Sequence, residues 1–438
     1  MVWRRRAAFV VAVLLLPGCW WQQPGYGPGH TRGNPQERTL TPATVDRLSQ
    51  QWSRALPGTL SEPISDGRRT YTTRGGGPAQ VLALDNATGA TAWRADLPGF
   101  ATIAEPTPVA ASRDALVVGS VTRFPHPGAA EPCADLRRLD PRTGADVGAT
   151  PVGYPTSAFV TSGSIVAFVD SQRCRLRTTS RLVVLDRATL ATRWTSNTYS
   201  GESTIEPTIA DGRVYARLGG QIQAFAAAGC GASVCSPVWT VSSHAVPLGQ
   251  IVAGGGRVYV PNTIVDLPRP SDPYRGTATL LVLDAVTGDE LWRAEHDFTS
   301  PTLPRLGALA VGRDTVYLIG LRASGSGPDV PSLEAYPAAG CGRPTCPPSW
   351  SAAVNASVAP AVAGDVVYVA TTYTLVAFAA GGCGRATCPE LATVSGSFSG
   401  PDQLAVSSGH VFVVETDNDG SPDVTSTLHA FGIPAPPG

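Results

Sequence analysis

Three Glu-Pro dipeptides, Glu62-Pro63, Glu105-Pro106 and Glu206-Pro207, each stand just before an apolar stretch that reads as a strand, and Gln250 and Gln403 hold equivalent places further along. Carboxylates and carboxamides gathered in this way would suit a cation or a polar ligand. Solvated side chains at strand starts, with proline setting the entry, are the simpler alternative. A second acidic group, Glu415, Asp417, Asp419 and Asp423, spaces oxygen ligands like part of a calcium loop. Ser426 then stands where the bidentate glutamate of such a loop would close it, so the calcium expectation is weak. Three cysteine pairs, Cys230-Cys235, Cys341-Cys346 and Cys383-Cys388, share the pattern Cys-Gly-x-x-x-Cys. That spacing is neither a redox Cys-x-x-Cys nor a zinc knuckle able to reach a second one. The six histidines are scattered without metal-ligand spacing, and lysine is absent. Schiff-base chemistry and a phosphate-loop lysine are therefore excluded. No nucleophile elbow is present, and no catalytic residue is assigned.

The elements that must position these groups are short strands. The chain has 438 residues, of which 47 are glycine and 39 proline, yet 43% are hydrophobic. Abundant turn residues beside a large apolar fraction point to an all-β fold and away from disorder. With 33 basic and 34 acidic side chains and a net charge of −1, nucleic acid is not an expected partner.

Arg4, Arg5 and Arg6 precede an apolar run from Ala7 to Leu16, too short to span a bilayer and suited to a signal peptide. The run ends in Leu16-Pro17-Gly18-Cys19, which resembles the lipobox of bacterial lipoproteins. The resemblance implies cleavage after residue 18 and a diacylglycerol on Cys19, anchoring an extracytoplasmic protein to the cell membrane by lipid alone. Residues 19–38, rich in Gly, Pro and Gln, read as a flexible tether, with Trp20 and Trp21 at the headgroup level. Residues 39–438 are expected to form one domain. In an exported chain the three cysteine pairs are expected as disulfides, each stapling a hairpin tip.

One unit repeats along that domain. Leu84-Asp85…Thr88-Gly89…Trp93 returns at Leu139, Leu185 and Leu283, and cysteine-containing variants follow Phe225, Tyr336 and Phe378. An eighth copy ends at Phe431 without its last strand, while Trp52 near the N-terminus lies on a strand without a preceding hairpin. Each Asp-x-x-Thr-Gly is a hairpin turn in which Asp caps the backbone and Gly takes the positive φ. A second hairpin precedes each copy. Four strands recurring about every 50 residues are the signature of a propeller blade. The expected fold is an eight-bladed β-propeller whose last blade is completed by the N-terminal strand. Seven blades with a degenerate unit, or two sandwiches, are the alternatives. The Glu and Gln positions then ring one mouth of the central channel. Cys133 and Cys174 precede the third strands of neighbouring blades and are expected to pair across them.

The repeat resembles the tryptophan docking motif of pyrroloquinoline-quinone (PQQ)-type propellers. That resemblance implies a structural role, stacking between blades, for Trp52, Trp93, Trp194, Trp239, Trp292 and Trp350. Gly148 and Ala392 break the pattern, which implies looser packing in blades 2 and 7. Catalytic relatives carry an adjacent Cys-Cys pair, calcium held by Glu, Asn and Asp, and commonly a Lys or Arg on the quinone; no Cys-Cys and no lysine occur here, and no such set can be matched residue by residue. The expectation is a monomeric, non-catalytic binding or scaffold module for an envelope protein or cell-wall polymer, similar in fold to propeller lipoproteins of outer-membrane assembly. A PQQ-dependent oxidoreductase or a carbohydrate-binding propeller is the alternative.

Overall fold

A computed structural model describes residues 20–75, 78–100, 108–111, 115–121, 134–153, 155, 157–170, 179–201, 203, 205–242, 249–266, 273–300, 308–322, 329–356, 358–396, 401–417 and 424–434. Eight antiparallel sheets, each built on four strands, form a propeller. Blade 1 runs outward from Ile64–Ser65 through Arg69–Arg74 and Pro78–Asp85 to Thr91–Phe100. The innermost strands of the other seven are Pro108–Ala111, Val160–Ser162, Thr208–Ala210, Val252–Gly254, Leu309–Val311, Ala361–Ala363 and Pro401–Ser407. Blade 8 takes its fourth strand from the other end of the chain. Ser49–Pro57 pairs antiparallel with Thr425–Gly432, placing Trp52 opposite Ala430 and Arg54 opposite Leu428. Closure this way removes the two sheet edges that an open array would expose.

Because the strands are antiparallel, the turn between strands one and two lies on the same face as the turn between strands three and four. Backbone bonds join the two turns: Asn86 N–H donates to Arg68 O, Ala227 to Gly212 O, and Ala285 to Gly256 O. This side is the turn face, and the opposite side, where blades connect, is the connection face.

Tryptophans join the blades. The indole of each lies over a glycine in the third–fourth turn of the next blade. Trp52 covers Gly89, Trp93 Gly144, Trp194 Gly229, Trp239 Gly288, Trp292 Gly340 and Trp350 Gly382. A Cβ at Gly144 would lie 2.5 Å from the Trp93 ring, so only glycine fits. The indole N–H then donates to a turn carbonyl: Trp52 to Asn86 at 2.8 Å and Trp93 to Pro141 at 2.9 Å.

Cys230–Cys235, Cys341–Cys346 and Cys383–Cys388 are disulfides. Each closed loop reaches the preceding blade: Val234 pairs parallel with Thr195, Thr345 with Arg293, and Thr387 with Ser351. The staples therefore hold inter-blade latches as well as hairpin tips. Cys19, Cys133 and Cys174 lie outside the described residues. Helix is confined, among the described residues, to one 3-10 turn, Val45–Arg47. None of their helices is long and apolar enough to cross a membrane.

The expected tether is corrected. Trp21 and Asn34 are fully buried and Glu37 nearly so. From residue 21 to residue 37 the chain lines the central channel and bonds in turn to the inner strands of seven blades. Ser65 N–H donates to Trp21 O, Ile209 to Pro28 O, Ala253 to Gly29 O, Val311 to Thr31 O and Val362 to Arg32 O. Gln23 exchanges two bonds with Thr161, and Asn34 Nδ2 donates to Val406 O. Gly33–Asn34 extends the blade 7 sheet in parallel. The glycines serve close approach: a Cβ at Gly29 would lie 2.2 Å from Ala253 O, and one at Gly33 2.3 Å from Val311 O.

Candidate functional site

The channel is where the polar groups converge. Glu62, just before the innermost strand of blade 1, is drawn inward by the N-terminal strap. Its Oε1 accepts from Trp21 Nε1 at 2.9 Å and from the Gly25 N–H at 2.7 Å. Its Oε2 accepts from Arg32 at 2.9 Å. Arg32 also donates to the carbonyls of Pro360 and Leu404, in blades 7 and 8, and its guanidinium lies 5.8 Å from the Trp21 ring centroid. Both side chains of this ion pair are nine-tenths buried or close to it. A buried pair of this kind is tolerated because each Arg32 nitrogen donates a hydrogen bond and both Glu62 oxygens accept one.

Beside it, the His30 Nε2 lies 3.2 Å from Pro207 O and 3.6 Å from a carboxylate oxygen of Glu206. Burial pushes the Glu206 carboxyl above its ordinary range, with the Glu62 charge adding and His30 and Arg32 opposing. Gln250 donates to Glu206 O at 2.8 Å and to Ile251 O at 3.2 Å. The structure thus brings Glu62, Glu206 and Gln250 to one place, around the strap. Gln403 sits in the inner strand of blade 8 opposite Val414. Glu105 lies outside the described residues.

His30, Arg32 and Trp21 were not legible as channel residues. Tyr26, His30 and Arg32 all adopt positive φ, which costs of order 1 kcal/mol each. Tertiary contacts hold them there. The usable signal was the Trp20-Trp21 pair, since a solvated linker seldom carries two tryptophans.

A cation or a quinone can be tested against these groups. Glu62 already has both oxygens engaged by the chain. Glu415 lies 3.4 Å from His429 within blade 8 and is only 8% exposed. Asp417 pairs with Thr425 at a strand end. Asp419 and Asp423 lie outside the described residues. No group of three or more His, Cys, Asp or Glu able to hold a metal occurs among the described residues. In the strapped part of the channel both oxygens of Glu62 are taken up by Trp21, Gly25 and Arg32.

A separate cavity of about 20 Å³ lies between blades 5 and 6, lined by Asn262, His296, Glu334 and Tyr336. It has room for one water. Tyr336 donates to the buried Glu334 at 2.6 Å.

Comparisons with known proteins follow the same lines. No curated protein matches the sequence. The fold is similar to the quinohemoprotein alcohol dehydrogenase ADHIIG of Pseudomonas putida HK5, with a TM-score of 0.59 at 13% identity over 96% of this chain and 82% of that one. BamB from Moraxella catarrhalis aligns with a TM-score of 0.48 at 14% identity, over 87% of this chain and 99% of that one. A family model described as outer membrane protein assembly factor BamB matches residues 39–124 and 133–380. With that match spanning most of the propeller, and with its repeat, blade count and tryptophan docking in place, the chain belongs to the BamB family.

Proposed function

We propose that the protein is a lipid-anchored, extracytoplasmic, non-catalytic propeller that binds or scaffolds an envelope protein or polymer. The observation that carries this reading is the strap. Residues 21–37 occupy the channel wall where a propeller enzyme would need room for a cofactor, and they engage the buried carboxylate Glu62. Family membership supports the same direction, since the family is described as an assembly factor. The likeness to an alcohol dehydrogenase is one of fold, and fold does not carry chemistry.

The experiment has two arms. Titration of the folded chain with PQQ and calcium by calorimetry is expected to give no saturable heat; micromolar binding would overturn the reading in favour of a quinoprotein. Crosslinking on intact cells is expected to recover an envelope protein reproducibly. Retention on cell-wall glycan with no protein partner would favour the carbohydrate-binding alternative.

A further inference from the structure

We infer that the turn face lies directly against the membrane, with the connection face turned away from it. The inference rests on the reading of Cys19 as the lipid-bearing residue. Its starting point is the place where the described chain begins. Trp21 is fully buried, its carbonyl accepts from Ser65 and its indole donates to Glu62. Trp20 is already seated on the turn face: a Cβ on Gly67, in the first turn of blade 1, would lie 2.4 Å from the Trp20 Nε1 and 3.1 Å from the Ser408 Oγ of blade 8. Trp20 alone separates the acylated position from a fully buried residue, and the two steps from 19 to 21 span at most about 7 Å. No length remains for a stalk. A diacylglycerol on Cys19 inserts its chains below the headgroups, so the surface through which Trp20 emerges must reach the headgroups too.

What that surface carries fits an interfacial position. Val147, Val234, Val238, Val286, Leu291 and Leu391 are 38–65% exposed, and all lie in or beside third–fourth turns. They are six of the nine large hydrophobics exposed among the described residues. The carboxylates of Asp85, Asp186 and Asp284 on this face are folded back onto turn N–H groups. Exposed Arg68, Arg142, Arg313, Arg343 and Arg385 are interspersed with exposed Asp211, Asp289, Glu290, Asp314, Asp365 and Glu390. Charge of one sign does not hold this face down; the anchor and the apolar turn tips do. The occupant is the lipid surface itself.

Orientation follows. The Glu206–His30 side of the channel and the blade connections point to the aqueous side, where a partner would be met.

The test uses the full chain, lipidated in a bacterial host and reconstituted into vesicles of phosphatidylethanolamine and phosphatidylglycerol. Intact mass first establishes the diacylglycerol on Cys19, with Cys19→Ser as the unlipidated control. Hydrogen exchange is then compared between the two forms. Amides of the turns around residues 229–238, 285–291 and 385–391 are expected to exchange about tenfold more slowly on vesicles, and those around Tyr373 on the connection face to be unchanged. Inserting about twenty Gly/Ser residues after Cys19 should abolish the protection while leaving the lipid adduct. Lipid adduct with protection on the connection face, or with none, would overturn the orientation and leave the anchor standing. No adduct at Cys19 would overturn the anchor and the orientation with it.

Discussion

Leu190, in the third–fourth turn of blade 3, shares a buried apolar cluster with the outer strand of blade 2, the strand that carries Gly148. Gly148 stands where other blades carry the docking tryptophan, and Leu190 stands where the next turn carries the receiving glycine. Leu190 is 5% exposed and packs with Leu136 and Val152 of blade 2 and Phe168 of blade 3. It does so at φ 58, a conformation that favours glycine. Blade 7 makes a similar repair: the short helix packs on the strand that begins at Ala392, and Val45 and Leu48 join the same core. Each of these blades has apolar side chains from a neighbouring element near its missing tryptophan, while a Cβ at Gly148 itself would meet nothing within 4 Å.

A double-mutant cycle tests this exchange. Leu190→Gly alone removes the plug and is expected to cost about 2 kcal/mol, the cavity loss outweighing the relief of positive φ. Gly148→Trp alone is expected to destabilise because Leu190 blocks the docking site. Together they should recover at least about 1 kcal/mol of the summed loss. Additive losses in urea denaturation would mean that the two positions are independent.

Gly144 and Gly163 separate backbone strain from tryptophan docking. Both have positive φ, but a Cβ at Gly163 meets nothing within 4 Å while one at Gly144 enters the Trp93 ring. Gly163→Ala should cost about 1 kcal/mol. Gly144→Ala should cost about 3 kcal/mol and shift the Trp fluorescence of the folded protein. Equal costs would count against docking as the reason for the glycine.

The strap makes a prediction about the channel. Arg32→Ala leaves Glu62 buried with its charge uncompensated and is expected to cost about 3 kcal/mol. Adding Glu62→Gln should restore about half of that, since the amide still accepts from Trp21 and Gly25. If Arg32→Ala is silent in chemical denaturation, the strap does not hold the ring.

Glu206 gives the channel a pH dependence. Its folded pKa is raised, chiefly by burial, so the folded state binds its proton more tightly than the unfolded chain does. Its contribution is present below the ordinary carboxylate value, near 4.5, and is lost as pH rises through the folded value. Glu206→Gln should flatten the stability profile over that window and raise stability above it. His429 acts in the opposite sense: burial lowers its pKa against the pull of Glu415. It therefore withdraws stability as pH falls below about 6.5. Thermal midpoints of the wild type, Glu206→Gln and His429→Gln from pH 4 to pH 8 check both signs.

The ring was legible in the sequence because its signals are local and repeated. Asp85 with Gly89, or Asp284 with Gly288, marks a turn wherever it occurs, and the half-units at Trp52 and Phe431 point to each other by what each lacks. The strap was illegible for the opposite reason. Gly25, Gly29 and Gly33 look like the glycines of a flexible linker, yet Gly29 and Gly33 are needed because inner-strand carbonyls come within contact distance. That requirement exists only once several blades are assembled. Glu62 and Glu206 were found by their recurring Glu-Pro context, but their partners Arg32 and His30 lie 30 and 176 residues away and carry no pattern. The exchange between Gly148 and Leu190 showed as two departures from the repeat, and their complementarity appears only across a blade boundary.

The joining of residues near both ends has a temporal consequence. Trp52 pairs beside Ala430, and Asn34 bonds to Val406. A chain that crosses a membrane from its N-terminus delivers the strap and the Trp52 strand first, and their partners in blade 8 last. Until nearly the whole chain has emerged, the ring cannot close, and its two terminal blades present bare strand edges. For a chain delivered in that order, ring closure waits for the last strand, and the open form carries the aggregation hazard of unpaired edges until then.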